Sequence, residues 1–152
     1  MYDRLSDVLS RKSKYGLKAL LALAQEEGRG PVLVSDLAER DAIPKKFLEA
    51  ILLELKRHGI VHSKKGKGGG YFLGRKPADI TFGQVIRVLE GPLAAVPCVS
   101  QTAYMKCPEC VDERTCGVRL AMKEVRDATA RILDHTTLAD VNRQLIRKRR
   151  KA

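Results

Sequence analysis

Residues 45–77, KKFLEAILLELKRHGIVHSKKGKGGGYFLGRKP, constrain the fold more than any other part of this chain. Phe47, Leu48, Ile51, Leu52 and Leu55 recur at the 3.6-residue period, which predicts an amphipathic helix. Pro44 stands near its start and Gly59 fits the residue just past its end. GIVHS then reads as a strand, KKGKGGG as a tight connection and YFLGR as a returning strand. Tyr71 and Phe72 alternate across that strand, so at most one of them anchors it to a core.

The flanking sequence fits this helix and hairpin into a larger pattern. Residues 1–9 read as a short extension. Tyr15, Leu17, Leu20, Leu21 and Ala24 line a first helix over 11–26, stopped by Gly28, Gly30 and Pro31. PVLV is β-prone, and Ser35 is the expected N-cap of a short second helix with Leu37 and Ala38 inward. DAIP is a turn, so the second and third helices form a helix-turn-helix, and the hairpin makes it winged. A further helix starts at the N-cap Thr81, with Gln84 in the capping-box position, and stops at Gly91. Phe82, Val85, Ile86 and Leu89 would close the core. A long amphipathic helix is expected over 116–134, and its stripe, including Val118, Met122, Val125 and Ile132, needs a partner surface, for which a second copy is the economical choice. The last segment, TTLADVNRQLIRKRRKA, reads as a short helix fraying into a basic tail. The expected class is therefore mainly α with a small β-hairpin: a winged helix-turn-helix domain over 10–92, a cysteine-containing loop over 93–115, and a dimerisation helix with a basic tail over 116–152.

Charge points to the partner. Lys plus Arg number 29 against 18 Asp plus Glu, a net +11. The excess is patchy: 56–76 holds seven cations and no acid, and Arg11, Lys12, Lys14 and Lys18 form a second acid-free group. A third group is Arg143 with Arg147 to Lys151. Such patches on a small protein fit double-stranded DNA. Lys45, Lys46 and Glu49 stand where a recognition helix meets base edges, and Lys64, Lys65 and Lys67 at the hairpin tip suit phosphates or a minor groove. Glu49, an acceptor only, gains near DNA solely from a cytosine amino group. Enzyme classes find little support. His58, His62 and His135 have no triad or metal-ligand spacing, and the glycine loop lacks the Gly-Lys-Ser/Thr ending of a P-loop. No apolar run approaches the length of a membrane span and no signal-peptide segment is evident, so the expected compartment is the cytoplasm.

All four cysteines fall within 98–116, spaced Cys98-x8-Cys107-x2-Cys110-x5-Cys116. Crowding of this kind in a cytosolic chain favours metal or redox chemistry over a disulfide framework. The thiolates suit an iron–sulfur centre or zinc, and Cys107 with Cys110 suits a thiol–disulfide switch; spacing alone leaves all three open.

SKYGLKALLALA, IPKKFLEAILLELKRHGIV and SKKGKGGGYFLGRKPADITFGQVIRVLEG together resemble the bacterial winged-helix regulator family typified by IscR and NsrR, over roughly residues 10–137. The resemblance implies a two-fold dimer held by the long helix and a DNA-binding transcription factor, usually a repressor, carrying a [2Fe–2S] or [4Fe–4S] cluster. It implies Cys98, Cys110 and Cys116 as ligands, with Cys107 an additional thiol. The usual fourth ligand is a His three residues after the last Cys or an Asp of the first helix; here those positions hold Arg119 and Lys14. Either Cys107 supplies the fourth ligand, or the cluster has an open or exogenous ligand, or Cys107 replaces Cys110. The resemblance also gives Glu49 a part in choosing DNA sites and puts Lys65 where an Arg enters the minor groove.

Overall fold

The computed structural model describes residues 9–152, so the extension expected for 1–9 lies outside it except for Leu9. Three helices come first: α1 (Arg11–Gln25), α2 (Val34–Arg40) and α3 (Lys45–Arg57). Ser10 caps α1 through its Oγ, which accepts from the Ser13 N–H at 3.2 Å. Along α3, Leu48, Ile51, Leu52 and Leu55 are wholly buried. Burial of side chains this size stabilises by about 1.5–3 kcal/mol each, which makes this face the centre of the core. Gly16 lets α1 approach closely, since a methyl there would run into Leu89 and crowd Ile51.

Two expectations in this region change. Ser35 lies inside α2, not at its cap; the cap position is Leu33, with no side-chain bond. The β-prone run PVLV also yields only a single bridge, at Val32, because Val34 has already entered the helix. Phe47 departs from the core face as well. It is 40% exposed and meets the Tyr15 ring edge-on at 5.7 Å.

The hairpin pairs β1 (Val61–Lys64) antiparallel with β2 (Gly70–Leu73), with Val61 opposite Leu73 and Lys64 opposite Gly70. Val32 and Tyr71 exchange both backbone hydrogen bonds at 2.8 Å, so the segment before α2 pins the hairpin to the body. Gly70 permits this. Its φ is +141°, and a side chain there would strike the Val32 carbonyl. Tyr71 packs on the core while Phe72 faces outward against His62, as alternation requires.

After a short 3-10 turn at Pro77–Asp79, α4 (Phe82–Glu90) begins at Thr81, whose capping box with Gln84 is complete. Val85, Ile86 and Leu89 are buried; Phe82 is half-buried at the edge. A second 3-10 turn, Pro97–Val99, opens the cysteine segment, and α5 (Gly117–Leu133) follows. The chain then returns. Phe82 N–H donates to Thr136 O at 2.8 Å and Leu138 N–H to Ile80 O at 3.0 Å, a two-rung antiparallel joint between two helix caps. Thr137 makes its own capping box with Asp140 and starts α6 (Leu138–Lys151). Leu138 is wholly buried, and Asn142 donates to Leu21 O at 3.3 Å and accepts from Gln25 at 3.3 Å. With those anchors the last segment does not fray: α6 stays helical through Lys151.

The turn between α2 and α3 holds a local conflict. Ala42 has φ 52°, left-handed backbone that costs a residue with a Cβ about 1–2 kcal/mol. Ile43 behind it is buried and its N–H reaches Ala38 O at 2.9 Å, so the turn is held by its surroundings. Ala42→Gly should relieve more strain than it adds in unfolded-state entropy. The expected outcome is a gain of ~0.5–1 kcal/mol, read as a higher urea midpoint with an unchanged m value.

Candidate nucleic-acid interface and cysteine cavity

The winged helix-turn-helix part of the chain, the head, offers a basic surface built from two elements. Glu49 in the second turn of α3, and Lys45 and Lys46 in its first turn, are all exposed and without hydrogen-bond or ion-pair partners among the described residues. That turn has no acid, and Pro44 offers no side-chain cap, so its N–H groups remain available to an anion. At the hairpin tip Lys64, Lys65 and Lys67 are exposed. Arg11 is exposed at the start of α1, whereas Lys12 is engaged within the fold by Glu54 of α3 at 2.6 Å. Lys56 adds rigidity to the hairpin base by donating to Ser63 Oγ at 2.6 Å. In this arrangement the helix turn can read base edges and the hairpin can grip phosphates alongside.

The cysteine segment encloses a separate, largely apolar cavity of about 530 Å³. All four cysteines line it, with Val96, Pro97, Pro108 and Val118 as walls. Cys98 is buried, Cys110 and Cys116 are half-buried and Cys107 is exposed; all are free thiols. Cys107 and Cys110 form a hydrogen-bonded turn, the Cys110 N–H meeting Cys107 O at 3.1 Å. Cys116 caps α5, where no side chain satisfies the first-turn N–H groups and no acid sits in that turn. Desolvation, the Glu113 carboxylate and the neighbouring Cys116 and Cys107 sulfurs push the Cys110 thiol above its ordinary value, with Lys106 opposing. The donor set thus fits a soft metal centre in its chemistry. Its geometry is open: among the described residues no three His, Cys, Asp or Glu side chains stand at ligating separation, so the thiols surround the space without converging on one point.

Arg119 also lines the cavity. Its Nε is buried without a hydrogen bond and lies 3.9 Å from Glu113, whose other oxygen accepts from Tyr104 OH. Two further arginines make long-range ties, one between the segment and α5 and one between α5 and α4. Arg126, from the middle of α5, donates to Val99 O beside Cys98 and is held by Asp127. Arg87 of α4 grips both carboxylate oxygens of Asp134, at the end of α5, in a bidentate pair. Gly83 makes room, since a methyl there would collide with Asp134. Sequence reading missed the Arg126 and Arg87 ties, which join residues 27 and 47 positions apart and have no local signature. The Thr137–Asp140 box was within reach, because Ser/Thr-x-x-Asp/Glu before an apolar run is a helix-start signal.

Comparison with known proteins decides the family. The sequence profile of the Rrf2 family, described as an iron-dependent transcriptional regulator, matches residues 9–144. The chain belongs to the Rrf2 family. It is 39% identical over 137 residues to an rrf2-like helix-turn-helix transcriptional regulator of Rhodobacter capsulatus, covering 88% of this chain and 91% of that one. Among solved structures it is similar to CymR, the global cysteine regulator of B. subtilis, at a TM-score of 0.75 and 34% identity, covering 90% of this chain and 96% of that one. It is likewise similar to IscR of T. potens, at a TM-score of 0.71 and 34% identity, covering 90% and 87%. This Rrf2 chain is a winged-helix transcriptional regulator and not an enzyme. Regulators of the family bind DNA and typically dimerise. Among the described residues no helix is long and apolar enough to cross a membrane.

Two outcomes test this geometry. The Arg87 hydrogen bond holds the Asp134 carboxyl below its usual range, desolvation opposing. A folded-state value below the unfolded one, about 3.9, means the pair stabilises fully above that pH and loses its effect as pH falls through the folded value. The two side chains are 32% and 38% exposed, so solvent screening limits the worth of the pair. Asp134→Asn is expected to cost ~0.5–1 kcal/mol at neutral pH, and chemical denaturation should find the two proteins converging below about pH 4. For DNA, replacing Lys64, Lys65 and Lys67 with Ala should flatten the dependence of log K on log salt by about 0.9 for each phosphate that is no longer neutralised, with sequence preference retained.

Proposed function

We propose that the chain is a homodimeric repressor whose grip on DNA is set by the state of its cysteine site, with an iron–sulfur cluster as the resident group. The observation that carries this reading is the shared cavity: four thiols, drawn from both ends of a nineteen-residue segment, face one apolar space beside the uncapped start of α5. The family's description as iron-dependent and the likeness to IscR point the same way. Cys98, Cys110 and Cys116 would hold the group, and Cys107 is the fourth donor within the cavity. Zinc is the lesser alternative for the same four sulfurs. When bound, a cluster supplies a centre that responds to oxidation, nitric oxide or iron supply.

The chain's own part is transmission. No residue of α5 is buried, and Val118, Val125 and Ile132, each seven apart, are 65%, 49% and 61% exposed. Met122 extends that stripe, and a second copy laying its own α5 alongside would cover it. Arg126 couples the segment around Cys98 to α5, and the Arg87–Asp134 pair couples α5 to the head. Movement of the cysteine segment therefore shifts α5, and with it the separation of the two α3 helices in a dimer. Lys45, Lys46 and Glu49 would meet base edges, while Lys64, Lys65, Lys67 and Arg11 meet phosphates. Lys12 would act from its ion pair with Glu54, steadying α1 against α3.

A second reading rests on the Cys107–Cys110 turn and the likeness to CymR, named a cysteine regulator. A disulfide across that turn would make the cysteine segment a thiol switch with no metal. Anaerobic purification separates the readings. The cluster reading expects a visible thiolate-to-iron absorption band, iron and sulfide in matching amounts, and loss of the band in Cys98→Ala, Cys110→Ala and Cys116→Ala. A colourless protein with no iron, whose DNA affinity changes only when Cys107 or Cys110 is oxidised, would leave the thiol switch standing and the cluster refuted.

A further inference from the structure

The second half of α6 carries charge that neither the recognition helix nor the cysteine site uses. From Val141 to Ala152 there is no acid, while Arg143, Arg147, Lys148, Arg149, Arg150 and Lys151 are all basic and all exposed. Arg143 is paired with Asp140; the other five have no hydrogen-bond or ion-pair partner among the described residues. We infer that this end of α6 is a second DNA-contacting element, gripping phosphates that flank the segment read by α3.

Three observations carry the inference. First, the element is rooted. The Thr137–Asp140 box, the buried Leu138 and the Asn142 bonds to Leu21 and Gln25 fix its first turns to α1, so the cations are presented on a helix and not on a loose tail. Nine residues beyond Asn142 extend about 13 Å at 1.5 Å per residue. Second, the direction is useful. Ala139 shares a cleft with Ala24 and Glu27, and Asn142 meets Leu21 and Gln25, so α6 runs back along α1 toward the basic turn at Arg11. Third, the charge exceeds what the helix needs. One or two cations in a last turn satisfy the helix dipole. Five in succession go round the whole circumference, and the pairs Arg147–Arg150, Arg147–Lys151 and Lys148–Lys151 repel along the helix. A polyanion relieves that repulsion. A membrane surface would also supply negative charge, but residues 147–151 contain no apolar side chain to insert.

The inference rests on the chain binding DNA, and the test keeps the two apart. The full chain is titrated with a random-sequence duplex of about 40 base pairs over a range of salt, for the native protein and for a variant with Gln at 147–151. The flanking contacts should vanish from the variant, its slope of log K on log salt falling by about two to four units. A variant with Lys for Arg at 147, 149 and 150 should keep the native slope. Circular dichroism and thermal unfolding show that each variant is folded, since the changed residues lie beyond the anchoring turns. An unchanged slope in the Gln variant, with a flattened slope in the Lys64, Lys65 and Lys67 variant, overturns the inference and leaves the DNA reading intact. Unchanged slopes in both remove the DNA reading as well. Binding of the native chain to phosphatidylserine vesicles that the Gln variant lacks, with DNA binding unaltered, would assign the element to a membrane and overturn the inference.

Discussion

The backbone joint between residues 80–82 and 136–138 is the constraint on which the rest of the molecule depends. Two hydrogen bonds cross it, and both of its threonines at 81 and 137 are helix N-caps, so one short contact starts α4 and α6 together. Ile80 and Leu138, wholly buried on either side, seal it with apolar surface. This joint, with the Arg87–Asp134 pair beside it, brings the 44 residues from Pro92 to His135 back to the head. With it, the excursion through the cysteine segment and α5 becomes a closed loop on a fixed base, and the last helix returns to cover α1.

That base gives α5 two unlike ends. At its C-terminal end Asp134 is held by two hydrogen bonds from Arg87, and the chain passes at once into the joint. At its N-terminal end Cys116 provides no side-chain cap, and the first turn faces the thiol cavity. Between them Arg126 makes a direct tie to the cysteine segment. In the proposed mechanism an element so fastened would turn about its C-terminal end when its other end is pushed. In the proposed dimer its exposed stripe would make the consequence collective, because a second copy would cover a helix that has no buried residue of its own.

Local chemistry made much of the head legible in the sequence. The α3 periodicity, the glycine-rich connection and the Thr81–Gln84 box each carry their cause within a few residues, and each became the expected element. Where expectation failed, a distant contact had overruled a local signal. Ser35 looked like a cap, but Val32 pairs with Tyr71 and sets the chain so that the helix starts two residues sooner. Phe47 fitted the apolar stripe, but Tyr15 offered it a place at the edge. The basic tail looked loose because its hold on α1 runs through Asn142, a polar residue with no periodic signature, 117 positions from Gln25. At the cysteine site the spacing supplied the donor set, and the cavity shows that these donors share one space. The Arg119, Arg126 and Glu113 contacts around them are tertiary and had no counterpart in the pattern.

The distribution of satisfied and unsatisfied groups has a physical logic. Elements that move are drawn from the least stable parts of a fold, where few contacts must be broken. Several unsatisfied groups gather around the cysteine segment: the bare first turn of α5, the Arg119 Nε that makes no hydrogen bond, the free thiols and the exposed Cys107 turn. The head, by contrast, closes its core with Leu20, Leu48, Leu52 and Val85 wholly buried. A ligand that draws the thiols together would order the loose end and leave the head unchanged in shape. Its effect on DNA would then come from where two rigid heads stand relative to each other, with no refolding of the surface that reads the bases.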